Sequence, residues 1–384
     1  MRNFEYYNPT RIVFGRGSIA KLAELVPAGA KPLLVYGGGS IKRNGVYDQA
    51  IAALNGFEVA EFSGIEPNPR FETCMKAVER VAADACDFLL AVGGGSVLDA
   101  CKFIAAAAKY DGDDPWEILS KWAPVEAAIP LGAVLTLPAT GSEMNAGSVI
   151  SRDSTNEKLF FGSDHVRPQF SILDPETTYS LPPIQTANGV IDAFVHVAEQ
   201  YMTYADANPL HNRQAEAVFR TLIEEGPKAL TDPENYDVRA NIMWCATNAL
   251  NDWLSLGVPT DWASHMIGHE LTALYGTDHG TSLAIVEPGV WEHQRERKKD
   301  KLLQYAARVW DIHEGNDDER ISMAIEKTDS FFQSLGIGTR LEDHNIPDEA
   351  CDLVAKRLAD RGVKIGEHSD LGETEVAEIL RLRL

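Results

Sequence analysis

Over the first 180 residues, short apolar runs alternate with stretches whose apolar positions recur at helical spacing. The runs at 33–36, 57–62, 88–92 and 133–137 have strand length and are rich in Val, Leu and Phe. Between them, 70–83 and 97–109 carry an apolar stripe with the helical period of about 3.6 residues, the mark of amphipathic helices. Strands alternating with helices predict a parallel sheet with helical crossovers. A polar turn at 153–156 separates 148–151 from 158–161 and predicts a β-hairpin. At Leu181-Pro182-Pro183 the texture changes. Helical periodicity dominates from there on, with breaks expected at Gly226-Pro227 and Val258-Pro259. The pattern predicts an α/β domain over 1–181 and an all-helical domain over 182–384.

Composition narrows the partners. A chain of 384 residues, 45% of them hydrophobic, is long enough for two packed cores. No apolar run reaches the length of a membrane span, and Met1-Arg2-Asn3-Phe4-Glu5 lacks the apolar core of a secretion signal, so a cytoplasmic protein is expected. Five dispersed cysteines without a CxxC read as reduced, buried thiols. A formal net charge of −22 argues against nucleic acid and anionic membranes as partners. Any anionic ligand must then be met by local amides and a few cations. The acidic run from Glu314 to Glu319 reads as a solvated face.

Two of the strand candidates run straight into Gly37-Gly38-Gly39-Ser40 and Gly93-Gly94-Gly95-Ser96, and the second opens the helix at 97. Glycines let backbone N–H groups approach phosphate oxygens, and a helix N-terminus adds donors and a favourable dipole. Neither loop is the GxGxxG fingerprint, and the absence of GxxxxGK[ST] gives phosphoryl transfer no support. A third strand end, Leu135 to Asn145, adds polar groups at the same sheet edge. Ligands of open α/β sheets bind beyond the carboxyl ends of the strands, so the three loops are expected to share one ligand.

The second half carries metal chemistry. Asp192 and His196 are four apart in a helical stretch, so their side chains share one face. His265 lies in another helical stretch, and His279 in the loop-like Gly276-Thr277-Asp278-His279-Gly280. One carboxylate and three imidazoles suit a borderline divalent ion, Fe²⁺ or Zn²⁺. Four such ligands close a tetrahedron and leave a fifth position for a substrate oxygen. His269 follows His265 by four and is a candidate for substrate binding or proton relay, against the plainer reading of a hydrogen-bonded core histidine. The order His265-x-x-x-His269-Glu270 places the glutamate outside the pair, unlike the HExxH of a zinc protease.

Taken together, Gly93-Gly94-Gly95-Ser96-x-x-Asp99-x-x-Lys102, Pro138-Ala139-Thr140-Gly141-Ser142-Glu143, Asp192-Ala193-x-x-His196 and His265-x-x-Gly268-His269 with His279-Gly280 resemble the iron-containing (group III, metal-dependent) alcohol dehydrogenase family. The resemblance covers almost the whole chain. The opening at 3–15, the Tyr36 loop and 236–244 are similar to its NADPH-dependent aldehyde reductase and butanol dehydrogenase branch. It implies a Rossmann-like nucleotide-binding domain followed by a helical domain, the dehydroquinate synthase-like architecture, with the metal between them. It also implies Asp192, His196, His265 and His279 as ligands, and a histidine with a functional role at His269. Gly94, Gly95 and Ser96 then hold the pyrophosphate, and Asp99, Thr136, Thr140, Asn145 and Lys158 occupy positions like those of coenzyme-site residues.

NAD-preferring relatives carry an acidic residue at the end of the first glycine loop. Here Gly37, Gly38, Gly39 and Ser40 are followed by Lys42 and Arg43, so a 2′-phosphate is expected on the Ser40 hydroxyl, the loop amides and Lys42, which favours NADP(H). Asp278 stands where many relatives have proline, either orienting His279 or starting a turn. The implied reaction is hydride transfer between NADPH and a carbonyl, with a Lewis-acidic ion stabilising the charge on oxygen.

Trp262, Met144, Phe161 and Leu254 either line an apolar pocket or belong to the core. No cluster of basic residues near the metal residues calls for a charged substrate, so short- to medium-chain neutral aldehydes and alcohols are expected. Three alternatives are weaker. A dehydroquinate synthase-like lyase needs more cations and a Glu/His/His set, and an NAD-dependent polyol dehydrogenase usually has one fewer histidine ligand. A non-enzymatic regulator would not need every site intact. A homodimer is expected on the resemblance, with 1–14 as an edge strand between subunits.

Overall fold

The computed structural model describes residues 1–204 and 208–384. Six parallel strands form one sheet: β1 (Arg11–Phe14), β2 (Pro32–Val35), β3 (Ala60–Phe62), β4 (Phe88–Gly94), β5 (Leu131–Leu137) and β8 (Phe170–Leu173), in the order β1-β8-β5-β4-β2-β3. The expected hairpin is β6 (Gly147–Arg152) paired antiparallel with β7 (Glu157–Gly162). Successive strand residues point to opposite faces. Leu33, Val35, Leu89 and Ala91 enter one core with the helices Phe71–Ala83 and Gly95–Ala107. Leu34, Leu90, Val92 and Val134 enter another with the helix Val46–Ala53. Both faces are covered, which is why these strands read as unbroken apolar runs.

Differences from the sequence pattern are local. The strand expected at 57–62 begins only at Ala60, because Phe57 still closes the turn after the preceding helix, its N–H bonded to Leu54 O at 3.0 Å. β1 belongs to the chain's own sheet. It pairs with β8 of its own sheet, Arg11 opposite Phe170 and Phe14 opposite Leu173, and forms the sheet's edge.

The chain order places the glycine loops. From β2 the chain goes out to β3, then returns to β4 on the other side of β2. The direction of winding thus reverses between β2 and β4, and such a switch point opens a crevice at the carboxyl ends of the two strands. Residues 37–39 follow β2, Gly93 and Gly94 close β4, and Gly95 opens the next helix. An added Cβ at Gly37 would lie 3.9 Å from Val97, so the loops are neighbours.

The chain divides into two compact units, one of residues 7–181 with 234–243, the other of 1–6, 182–233 and 244–384. In the first, the Arg16 guanidinium sits 4.9 Å over the Tyr236 ring. The second is helical, and in it the N-terminal segment is tied by Arg2 N donating to Gly257 O at 2.8 Å. Gly226-Pro227 does not break its helix, which runs through as Pro209–Thr231. Gly226 packs on Val190, where a Cβ would approach to 3.0 Å. This close helix contact outweighs the backbone bond that Pro227 cannot make. Val258-Pro259 does fall between helices, after Ala249 and before Ala263. No helix among the described residues is long and apolar enough to cross a membrane.

Candidate metal centre and coenzyme loops

Asp192 and His196 lie on the helix Pro183–Tyr201, His265 on Ala263–Tyr275, and His279 opens His279–His293. The spacing of four on the first helix is local geometry; the other two arrive by packing. All three imidazoles gather around one buried oxygen. Asp192 Oδ1 lies 3.6 Å from His196 Nδ1, 3.7 Å from His265 Nε2 and 3.6 Å from His279 Nε2. These are too long for hydrogen bonds. They are close to the ligand-to-ligand spacing of about 3.4 Å around a tetrahedral ion with bonds of ~2.1 Å.

Asp192, His265 and His279 each offer an atom within 4.8 Å of the other two, the one such trio of potential metal ligands among the described residues. His196 flanks it, its ring stacked 4.5 Å from that of His265. His196 Nδ1 and His265 Nε2 are buried and have no hydrogen-bond partner among the described residues. Buried polar atoms are seldom left that way. This donor set fits a divalent cation.

Asp192, His196 and His265 are 3%, 4% and 7% exposed, which makes charge expensive here. Burial lowers the His196 pKa to about 4, against the pull of Asp192. For His265 burial also lowers it, but Glu199 and Asp192 outweigh that and push it up to about 9. Glu199, not noticed in the sequence, is bonded to His265 Nδ1. Its signal was present, since 192, 196 and 199 fall on one helical face. Asp278 instead accepts from Asn188 Nδ2 at 3.4 Å. His269 lies beside the group, its ring 5.3 Å from that of His279, and the Trp262 ring meets that of His265 edge-on at 5.4 Å. Phe161 is in the core against Phe103, and Leu254 is buried. Met144 is partly buried.

In the α/β unit, Gly95 begins its helix against Thr140, whose Oγ1 a Cβ would meet at 2.5 Å, so only glycine lets these loops touch. Asp99 accepts from Ser142 Oγ at 2.7 Å and from Val149 N at 2.9 Å. Lys102 Nζ bonds Asn145 O, Asn145 Oδ1 and Gly147 O at 2.8–2.9 Å. Asp99, Lys102 and Asn145 thus brace the loop carrying Thr140 onto the helix of Ser96. Thr136 is buried near the end of β5. Lys158, far from being solvated, is buried and donates to Asn68 Oδ1 at 2.9 Å. Gly38, Ser40, Lys42 and Arg43 are exposed.

Models of iron-containing alcohol dehydrogenase match residues 9–175, and of the C-terminal domain of the Fe-containing alcohol dehydrogenase family residues 186–384. The chain belongs to the iron-containing alcohol dehydrogenase family. It is an oxidoreductase of the alcohol dehydrogenase and aldehyde reductase kind. It is 55% identical to the NADPH-dependent aldehyde reductase YqhD of Escherichia coli over 97% of each chain. Against a probable NADH-dependent butanol dehydrogenase of Bacillus subtilis it is 46% identical over the full length of both. The crystal structure of E. coli YqhD superposes with a TM-score of 0.98 at 54% identity, over 100% of this chain and 99% of that one. That of NADH-dependent butanol dehydrogenase A from Thermotoga maritima does so at 0.95 and 37% identity, with the same coverage.

Proposed function

We propose that this chain is an NADP(H)-dependent aldehyde reductase using one divalent ion, Fe²⁺ or Zn²⁺, held by Asp192, His196, His265 and His279. On this reading residues 1–181 bind the coenzyme and 182–384 the metal. The observation that carries it is the convergence of three imidazole nitrogens on Asp192 Oδ1 at 3.6–3.7 Å. A bound divalent ion would act there as a Lewis acid, stabilising the negative charge that hydride addition places on a carbonyl oxygen.

The chain's residues do the rest. Asp192 cancels part of the cation's charge, while the neutral imidazoles cancel none. Trp262 shields the group with an apolar ring that suits a neutral, short- to medium-chain aldehyde such as butanal. His269 binds the substrate or relays the proton that the alcohol oxygen needs. The Gly94 and Gly95 amides and Ser96 take the pyrophosphate at a helix N-terminus. Asp99, Thr136, Thr140, Asn145 and Lys158 complete the coenzyme's surroundings. Gly37, Gly38, Gly39, Ser40 and Lys42 hold the 2′-phosphate end. Aldehyde reduction in the cytoplasm, by a homodimer joined along the β1 edge, is the working form.

The test is NADPH consumption with butanal, before and after chelation and after returning Fe²⁺, Zn²⁺ or Mn²⁺. Activity is expected to vanish and return, and His265→Ala is expected to abolish turnover while leaving NADPH binding intact. A rate indifferent to chelation removes the metal from the reading. A higher kcat/KM with NADH than with NADPH removes the coenzyme preference.

A further inference from the structure

Glu199 is 3% exposed, three residues after His196 and seven after Asp192, on the same helix face. Its Oε1 accepts from Ser264 N at 2.5 Å and from His265 N at 3.2 Å, the first turn of the His265 helix. Its Oε2 is bonded to His265 Nδ1. The other ring nitrogen, Nε2, faces Asp192 Oδ1 at 3.7 Å. The two nitrogens of an imidazole point in different directions, so a partner at one decides what the other presents.

We propose that Glu199 is a positioning residue for the metal: it accepts the Nδ1 proton of His265 and so keeps Nε2 proton-free and aimed at Asp192, His196 and His279. The inference rests on the reading of that group as a metal centre. A neutral imidazole carries its proton on either nitrogen, and with the proton on Nε2 the ring cannot ligate. A carboxylate fixed at Nδ1 removes that choice. Glu199 is itself fixed, because two backbone N–H groups at the positive end of a helix hold its other oxygen. The same side chain therefore joins two helices and sets the tautomer of the ring between them.

Glu199→Gln separates these two jobs. The amide oxygen still accepts from Ser264 N and His265 N, so the helices stay joined. Its NH₂ donates where the carboxylate accepted, so His265 must turn a lone pair to it at Nδ1 and move its proton to Nε2. Affinity for Zn²⁺ is measured by competition with a chromophoric chelator for wild type, Glu199→Gln and His265→Ala, beside the melting temperature of each metal-free protein. Glu199→Gln is expected to melt like wild type and to bind Zn²⁺ about 10- to 100-fold more weakly. Wild-type Zn²⁺ affinity in Glu199→Gln, with His265→Ala weakened, would leave Glu199 a helix tie and overturn the inference while the metal centre stands. Wild-type affinity in His265→Ala sinks the metal reading itself. If Glu199→Gln does not fold, long-range proton–nitrogen spectra of Zn²⁺-loaded wild type decide: the proton on His265 Nδ1 supports the inference, and on Nε2 it overturns it.

Discussion

Lys42 follows the first glycine loop and, on sequence, is a cation with no evident obligation. Folding gives it one. Its Nζ lies 5.0 Å over the Tyr36 ring, 4.4 Å over Tyr47 and 3.6 Å from Glu61 Oε2. The hydroxyls of Tyr36 and Tyr47 donate to the two oxygens of Glu61 at 3.1 and 2.6 Å. Burial raises the Glu61 pKa, but the two tyrosines and Lys42 outweigh it, so the carboxylate stays charged. The loop itself lacks an acidic residue, yet the neighbouring strand supplies one beside the very cation expected to hold a 2′-phosphate. If Lys42 holds a 2′-phosphate, the Glu61 charge beside it opposes NADPH. Glu61→Gln, which keeps an acceptor for the tyrosines, is expected to raise the ratio of kcat/KM for NADPH over NADH about three- to tenfold, a partly exposed charge effect of ~1 kcal/mol. Lys42→Met is expected to move it the other way, and Gly39→Asp to weaken NADPH use. An unchanged ratio in Glu61→Gln would take this residue out of coenzyme choice.

Elements were legible wherever a periodic pattern had room to repeat. The helices Phe71–Ala83 and Gly95–Ala107 and strands β4 and β5 follow the apolar pattern within a few residues. β1 and β8 did not declare themselves as strands of one sheet, because four residues each hold too little of any period, and they become strands by pairing with each other. The acidic run at 314–319 is more than a solvated face. Asn316 caps the helix Asp317–Ser334, its Oδ1 accepting from Glu319 N at 3.0 Å while Glu319 accepts from Asn316 N at 2.9 Å. Asp317, Asp318 and Glu319 then sit at the positive end of the dipole. Asn316→Ala is expected to cost about 1 kcal/mol in thermal or urea unfolding without touching activity. A cost below the error of the measurement would show the cap to be idle.

At the scale of the whole molecule, the proposed homodimer would join its subunits along the β1 edge of the sheet. Arg11 N and Gly15 N donate to Gln169 O and Leu173 O of the β8 side. With a strand's period of two, Ile12 N–H points away from β8. Proline is tolerated where a strand's N–H faces outward. Ile12→Pro is thus expected to leave each subunit folded while shifting sedimentation from dimer to monomer. A wild type that sediments as a monomer, or a variant that stays dimeric, removes β1 from the interface.

Sequence alone decided what local geometry can decide: the shared helix face of Asp192 and His196, the glycines at the ends of β2 and β4, and strands buried on both faces. It also held the joint motifs that resembled the family later matched over 9–175 and 186–384. That the three imidazoles singled out in the sequence meet on one oxygen of Asp192, that Glu199 meets His265, and that Glu61 meets Lys42 were decided only by the tertiary structure. Those partners come from different helices and strands. Periodicity fixes which way a side chain points along its own element, whereas only the packing of elements fixes what it points at.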